Sequence, residues 1–186
     1  MEYTPHRFSS PIVAAAVEVM FDVRNYLPEH TRERLVPDGR MHLVFELDGR
    51  PRYLYDPETG EAQQECTRAW LSGVHSNYTT IGDTSEASRM LAVQFAPGQA
   101  RLFTHRPASD FCDAVVPAEA VFGEEFLALR EALAGNGLAE DCLTRVTACG
   151  VGYRALPEYR KLIEFFRPAN AGLYLKLKAT LEAAAK

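Results

Sequence analysis

Residues 41–47 read Met41-His42-Leu43-Val44-Phe45-Glu46-Leu47. Met41, Leu43, Phe45 and Leu47 fall on one side of an extended chain, the period-two pattern of a half-buried strand. Asp48-Gly49 follows as a hairpin turn signal, and Arg52-Tyr53-Leu54-Tyr55 reads as the return strand. Outward from this stretch the pattern repeats. Val17 to Val23 alternates, with Val17, Val19, Phe21 and Val23 on one face, and Ala69–His75 and Met90–Phe95 are two more strands. The separators are rich in turn residues: Pro37-Asp38-Gly39, Asp56-Pro57-Glu58-Thr59-Gly60, Gly82-Asp83-Thr84-Ser85 and Ala96-Pro97-Gly98. Short strands with frequent turns predict an antiparallel barrel or sandwich. Val19, Phe21, Leu43, Phe45, Val93 and Phe95 are expected to face one interior.

Near Phe122 the period changes to that of a helix. Glu124–Ala134 places Phe126, Leu129, Arg130 and Leu133 at helical spacing, and Gly135-Asn136-Gly137 stops it. Leu138–Cys149 carries a stripe of Leu138, Cys142, Val146 and Cys149. Pro157–Phe166 and a last segment with Leu173, Leu177 and Leu181 complete the set. The fold class is therefore α+β. A β domain over residues 1–122 is followed by a helical extension over 123–186, in one compact unit.

Composition excludes several classes. With 186 residues, 47% of them hydrophobic and 24% charged, the chain suits one globular domain rather than disorder. No apolar run reaches the ~18 residues of a membrane span, and no signal-peptide core is present, so a cytoplasmic location is expected. Residues 1–123 carry 11 basic and 17 acidic side chains, which repels a polyanion. Cys66, Cys112, Cys142 and Cys149 form no paired metal or redox motif and read as reduced thiols.

Leu35-Val36-Pro37-Asp38-Gly39-Arg40-Met41-His42-Leu43-Val44-Phe45 resembles the "hydrophobic-Pro-Asp-Gly, then strand" signature of the N-terminal sensor domain of AraC-type transcriptional regulators. Tyr3-Thr4-Pro5, Trp70-Leu71-Ser72-Gly73, Ala92-Val93-Gln94-Phe95-Ala96-Pro97-Gly98 and Asp113-Ala114-Val115-Val116-Pro117 match the same pattern, over about residues 3–133. The resemblance implies a cupin-like β-barrel that senses an effector or mediates dimerisation and controls a helix-turn-helix module. Residues 124–186 depart from that pattern. The would-be recognition helix, Leu138–Cys149, carries Glu140 and Asp141 against one basic residue, Arg145, which opposes phosphate contact. DNA is expected only through a separate helix-turn-helix domain.

Two sets of residues could carry chemistry. Trp70, His75, Tyr78 and His42 could line an effector pocket, since aromatic walls with a few polar groups are typical of one. Against this stands ordinary packing of Trp70 in the core. His42 and Glu46, with His105, echo a cupin metal site. Arg40 stands where a further His would be, and four residues of strand span ~13 Å, too far for one ion without a bend. No cofactor or resident metal is therefore expected. No nucleophile elbow, Walker or dinucleotide pattern occurs. The expectation is a ligand-sensing or dimerising domain rather than an enzyme, forming a homodimer through the helical extension, with no membrane partner. A stand-alone cupin-like metalloenzyme using His42, Glu46, His75 or His105 remains as an alternative, as does a dimerisation module without a ligand.

Overall fold

The computed structural model describes residues 2–7, 14–15, 17–27, 29–83, 88–104, 106–124 and 126–135. Its strands are β1 (Glu2–His6), β2 (Val17–Tyr26), β3 (Arg32–Leu35), β4 (His42–Glu46), β5 (Arg52–Tyr55), β6 (Ala62–Cys66), β7 (Ala69–Ser72), β8 (Thr79–Asp83), β9 (Ser88–Phe95) and β10 (Val115–Pro117). Helices α1 (Ala118–Phe122) and α2 (Phe126–Gly135) follow, after two 3-10 turns at Ala100–Leu102 and Ala108–Phe111. The strands form two antiparallel sheets, ordered β1-β2-β9-β4-β7-β10 and β3-β8-β5-β6. Pro5 sits in β1, an edge strand, where a missing N–H breaks no inner ladder.

Cross-strand pairs sort the six-stranded sheet into two faces. One rung runs Met20–Val93–Leu43–Leu71, and the next on that face includes Leu91–Phe45–Ala69. These side chains are buried in the hydrophobic core beneath Phe111, Phe122, Phe126 and Leu133. Phe45 and Phe126 stack at 5.4 Å, and Phe122 and Phe126 at 4.8 Å. The core thus lies between the sheet and the helices. Gly73 permits this packing at the end of β7: a Cβ there would fall 1.6 Å from the Phe111 carbonyl oxygen.

The other face carries the rung Phe21–Ala92–Val44–Trp70 and turns toward the four-stranded sheet. Phe21 is thus not in the core with Leu43 and Phe45, as the alternation of β2 suggested. A register shift between Val17 and Val19 moves the strand by one residue, so Val17 and Met20 enter the core, and Val19 pairs with Gln94 on the cavity side.

Two further expectations are corrected. The architecture is sandwich-like and not a closed barrel, because no ladder joins the two sheets among the described residues. Asp48-Gly49 does not make a hairpin either: β4 pairs with β7 and β9, while β5 pairs with β6 and β8 in the other sheet. The Asp48 carboxylate accepts the Arg50 N–H at 2.8 Å, and Pro51 has no N–H for a ladder, so the chain crosses between sheets here. Helix α2 matches the expected Glu124–Ala134 segment closely. The remaining segments of the expected helical extension, with Cys142, Cys149 and the Leu173, Leu177 and Leu181 stripe, lie outside the described residues, as does His105. Among the described residues no helix is long and apolar enough to cross a membrane.

Candidate ligand cavity between the sheets

Between the two sheets lies a cavity of about 440 Å3, within the size range of small-molecule sites. Its floor is the Phe21–Ala92–Val44–Trp70 rung, where Ala92 leaves room between larger side chains. Leu54 and Ile81, directly paired across β5 and β8, form the roof. Leu35, Val36 and Pro37 lie exposed along the rim.

Polar groups gather at two places. At the β4–β7 end, His42 and Ser72 are cross-strand partners, and the Ser72 hydroxyl shares a 3.1 Å hydrogen bond with His75 Nε2. Burial holds His42 below its usual basicity. The nearby Asp38 carboxylate, 3.5 Å from its Nε2, and a hydrogen bond with Gln94 oppose this, while Arg40 and His75 reinforce it. Asp113 is held low by hydrogen bonds from the Ser76 N–H and hydroxyl.

At the other end the fully buried Glu46 accepts from Arg52 Nε at 2.7 Å, so this ion pair ties β4 of one sheet to β5 of the other. Burial pushes the Glu46 carboxyl up to about 7. Arg52 opposes the shift by charge and hydrogen bond, and Asp48 adds to it. Glu46 also reaches the far side of its sheet, because its carbonyl accepts from Arg130 Nε of α2 at 2.8 Å.

The cavity thus brings Trp70, His42 and His75 together. Tyr78 is not among its lining residues; its ring lies under the Arg34 guanidinium, 4.8 Å from the centroid. Glu46 is engaged by Arg52 and has Asp48 beside it, but no cluster of three His, Cys, Asp or Glu suited to a metal occurs among the described residues. Sequence reasoning missed the Glu46–Arg52 pair. Its signal was an acid at a strand position whose neighbours are apolar, six residues before a basic residue. Cys66 is buried, which pushes its thiol up to about 11 and makes it unreactive, whereas Cys112 is exposed.

Fold and cavity together define a two-layer antiparallel β domain with a small-molecule-sized space between its layers. By sequence the chain belongs to the DUF6597 family, described as a domain of unknown function, whose model matches residues 1–117. That stretch ends with β10 and so contains the ten strands of the described residues. No curated protein matches the chain significantly. Among solved structures it is similar to an HTH_3 family transcriptional regulator from Vibrio cholerae, at 13% identity and a TM-score of 0.34. The similarity covers 51% of this chain and 51% of that one, so the chain spans about half of that regulator's length.

Proposed function

We propose that this chain is the ligand-sensing domain of a regulator related to the AraC type, with the inter-sheet cavity as its effector site and α2 as its output. The observation that carries the reading is the position of Glu46. Its carboxylate binds Arg52, which lines the cavity, while its carbonyl binds Arg130 on the helix that covers the opposite face. One residue therefore touches both the wall of the cavity and the element that leads toward residues 136–186. A molecule that shifts Arg52 biases the Glu46 backbone and with it the seat of α2. Such a signal needs different affinities for two positions of the helix. In this reading the domain has no catalytic role, acts as a homodimer through its helical extension, and reaches DNA only through a separate helix-turn-helix domain.

The test uses the full chain and a fragment set with neutral, anionic and cationic members. Binding is followed by the emission of Trp70, the single tryptophan of the sequence. Fragments that change this emission are expected to alter amide exchange over residues 46–49 and 126–135, and Arg130→Gln is expected to uncouple the second response from the first. Fragments that occupy the cavity and leave exchange over 126–135 unchanged would refute the sensing role while leaving a binding site.

A further inference from the structure

The walls of the cavity restrict what it can hold, because nearly every charge on them is already matched. Arg40 donates to both carboxylate oxygens of Glu18, at 2.6 and 3.1 Å. Arg52 is paired with Glu46 at 2.7 Å. Glu33 faces Arg52 and lies 3.1 Å from His30 Nε2. Asp38 accepts the Arg40 N–H at 2.9 Å and faces His42. Arg34, exposed at the rim, covers the Tyr78 ring. Between these pairs the lining is apolar apart from Ser72, His75, His42 and the uncharged hydroxyl residues Tyr26, Thr31 and Thr79.

A charged group brought into the interior of such a space loses its hydration and finds the nearby counter-ions already paired, a penalty that uncharged groups escape, while Arg34 stands at the solvent-exposed rim. The Ser72 hydroxyl, by contrast, keeps hydrogen-bonding capacity after its bond to His75, since a hydroxyl offers one donor and two acceptor sites. We infer that the cavity takes an uncharged, largely apolar molecule with a single hydrogen-bonding group, which it seats on Ser72 and His75 with the apolar body against Trp70, Val44, Leu54 and Ile81. This inference rests on the sensing proposal and adds the class of effector to it.

Three probes with one apolar body separate the alternatives: 4-tert-butylcyclohexanol, 4-tert-butylcyclohexanecarboxylate and 4-tert-butylcyclohexylammonium. None absorbs where Trp70 is excited, so each can be titrated against the full chain by emission, with calorimetry as a second readout. The alcohol is expected to bind saturably, and the two ions at least about 10-fold more weakly, because they lose hydration without compensation. Ser72→Ala is expected to weaken the alcohol by about 5-fold or more, the value of a lost neutral hydrogen bond. Unchanged melting of that variant would show that the loss is local. Tighter binding of the carboxylate, abolished by Arg34→Gln or Arg52→Gln, would overturn the uncharged class and leave the sensing role standing. Tighter binding of the ammonium ion would do the same. Saturation by none of the three in either readout would remove both the class and the site. Alcohol binding unaffected by Ser72→Ala and His75→Ala would overturn the seating.

Discussion

The two faces of the six-stranded sheet come from the same four inner strands yet follow different rules. Toward the helices, Leu43, Phe45, Leu71, Leu91, Val93 and Phe95 are all apolar and all buried. Toward the other sheet, His42, Val44, Glu46, Trp70, Ser72 and Ala92 mix sizes, charges and hydroxyls around open space. Close packing gives the first face most of the stability, because each buried side chain is surrounded and any loss leaves a void. The second face borders open space and retains polar groups, and the proposed effector site rests on that difference.

The contrast is tested most severely by deleting one side chain from each face of β4. Phe45 is 3% exposed and stacks on Phe126, so Phe45→Ala is expected to cost about 3–5 kcal/mol in denaturant unfolding, as loss of a buried Phe does. Val44 already borders the cavity, and Val44→Ala is expected to cost about 1 kcal/mol or less, since it enlarges an existing space. Equal losses would mean that the cavity face is packed as tightly as the core.

The alternation that reveals β2, β4, β7 and β9 is legible because one side of each strand meets a solid core. The four-stranded sheet is harder to read. Arg32-Glu33-Arg34-Leu35, Ala62-Gln63-Gln64-Glu65-Cys66 and Thr79-Thr80-Ile81-Gly82-Asp83 have no apolar alternation, because the inner face of that sheet borders a cavity and its outer face meets solvent. Sheet membership was not legible either. Asp48-Gly49 suits a hairpin locally, and only the pairing of β5 with β8 shows that the chain changes layer. Of the site, Trp70, His42 and His75 stood out as an aromatic and two imidazoles in or beside apolar strands. Tyr78 has the same look in sequence and a different place, because Arg34 takes its ring.

The buried ion pair provides the next largest effect and a pH signature. Arg52→Met leaves the Glu46 carboxylate in the interior without its cation, and Glu33 loses the same charge. Near pH ~8 this is expected to cost about 3–5 kcal/mol. The cost is expected to fall by more than about 1 kcal/mol toward pH ~5, where Glu46 takes up a proton and is no longer an unpaired charge. In the native chain the Glu46 carboxyl is raised from its ordinary 4.5 to about 7, so the folded state holds more protons between those values. Its contribution to stability is therefore complete below 4.5 and lost as pH rises through about 7. His42 has the opposite sign. Held below its ordinary 6.5, it contributes above that value, and the contribution is lost as pH falls through the folded value. Glu46→Gln is expected to abolish the first slope and His42→Gln the second, measured as unfolding free energy against pH. A Glu46→Gln protein with an unchanged profile would place the titration on another group.

The smallest expected change in stability is also the sharpest comparison, because it adds volume to each face. Ala69, on β7, pairs with Phe45 and is fully buried in the core. Ala92, on β9, pairs with Val44 and forms part of the cavity floor. Leucine at either position adds the same three carbons. At 69 these must displace packed neighbours, so Ala69→Leu is expected to cost about 1–3 kcal/mol. At 92 they enter the cavity, so Ala92→Leu is expected to change stability by less than about 1 kcal/mol. The added burial of apolar surface can even make it favourable. Ala92→Leu is also expected to weaken the binding of 4-tert-butylcyclohexanol, because it occupies the floor against which the apolar body would lie. A stable Ala92→Leu protein that binds the alcohol as well as the native chain would place the binding site outside the space between the sheets.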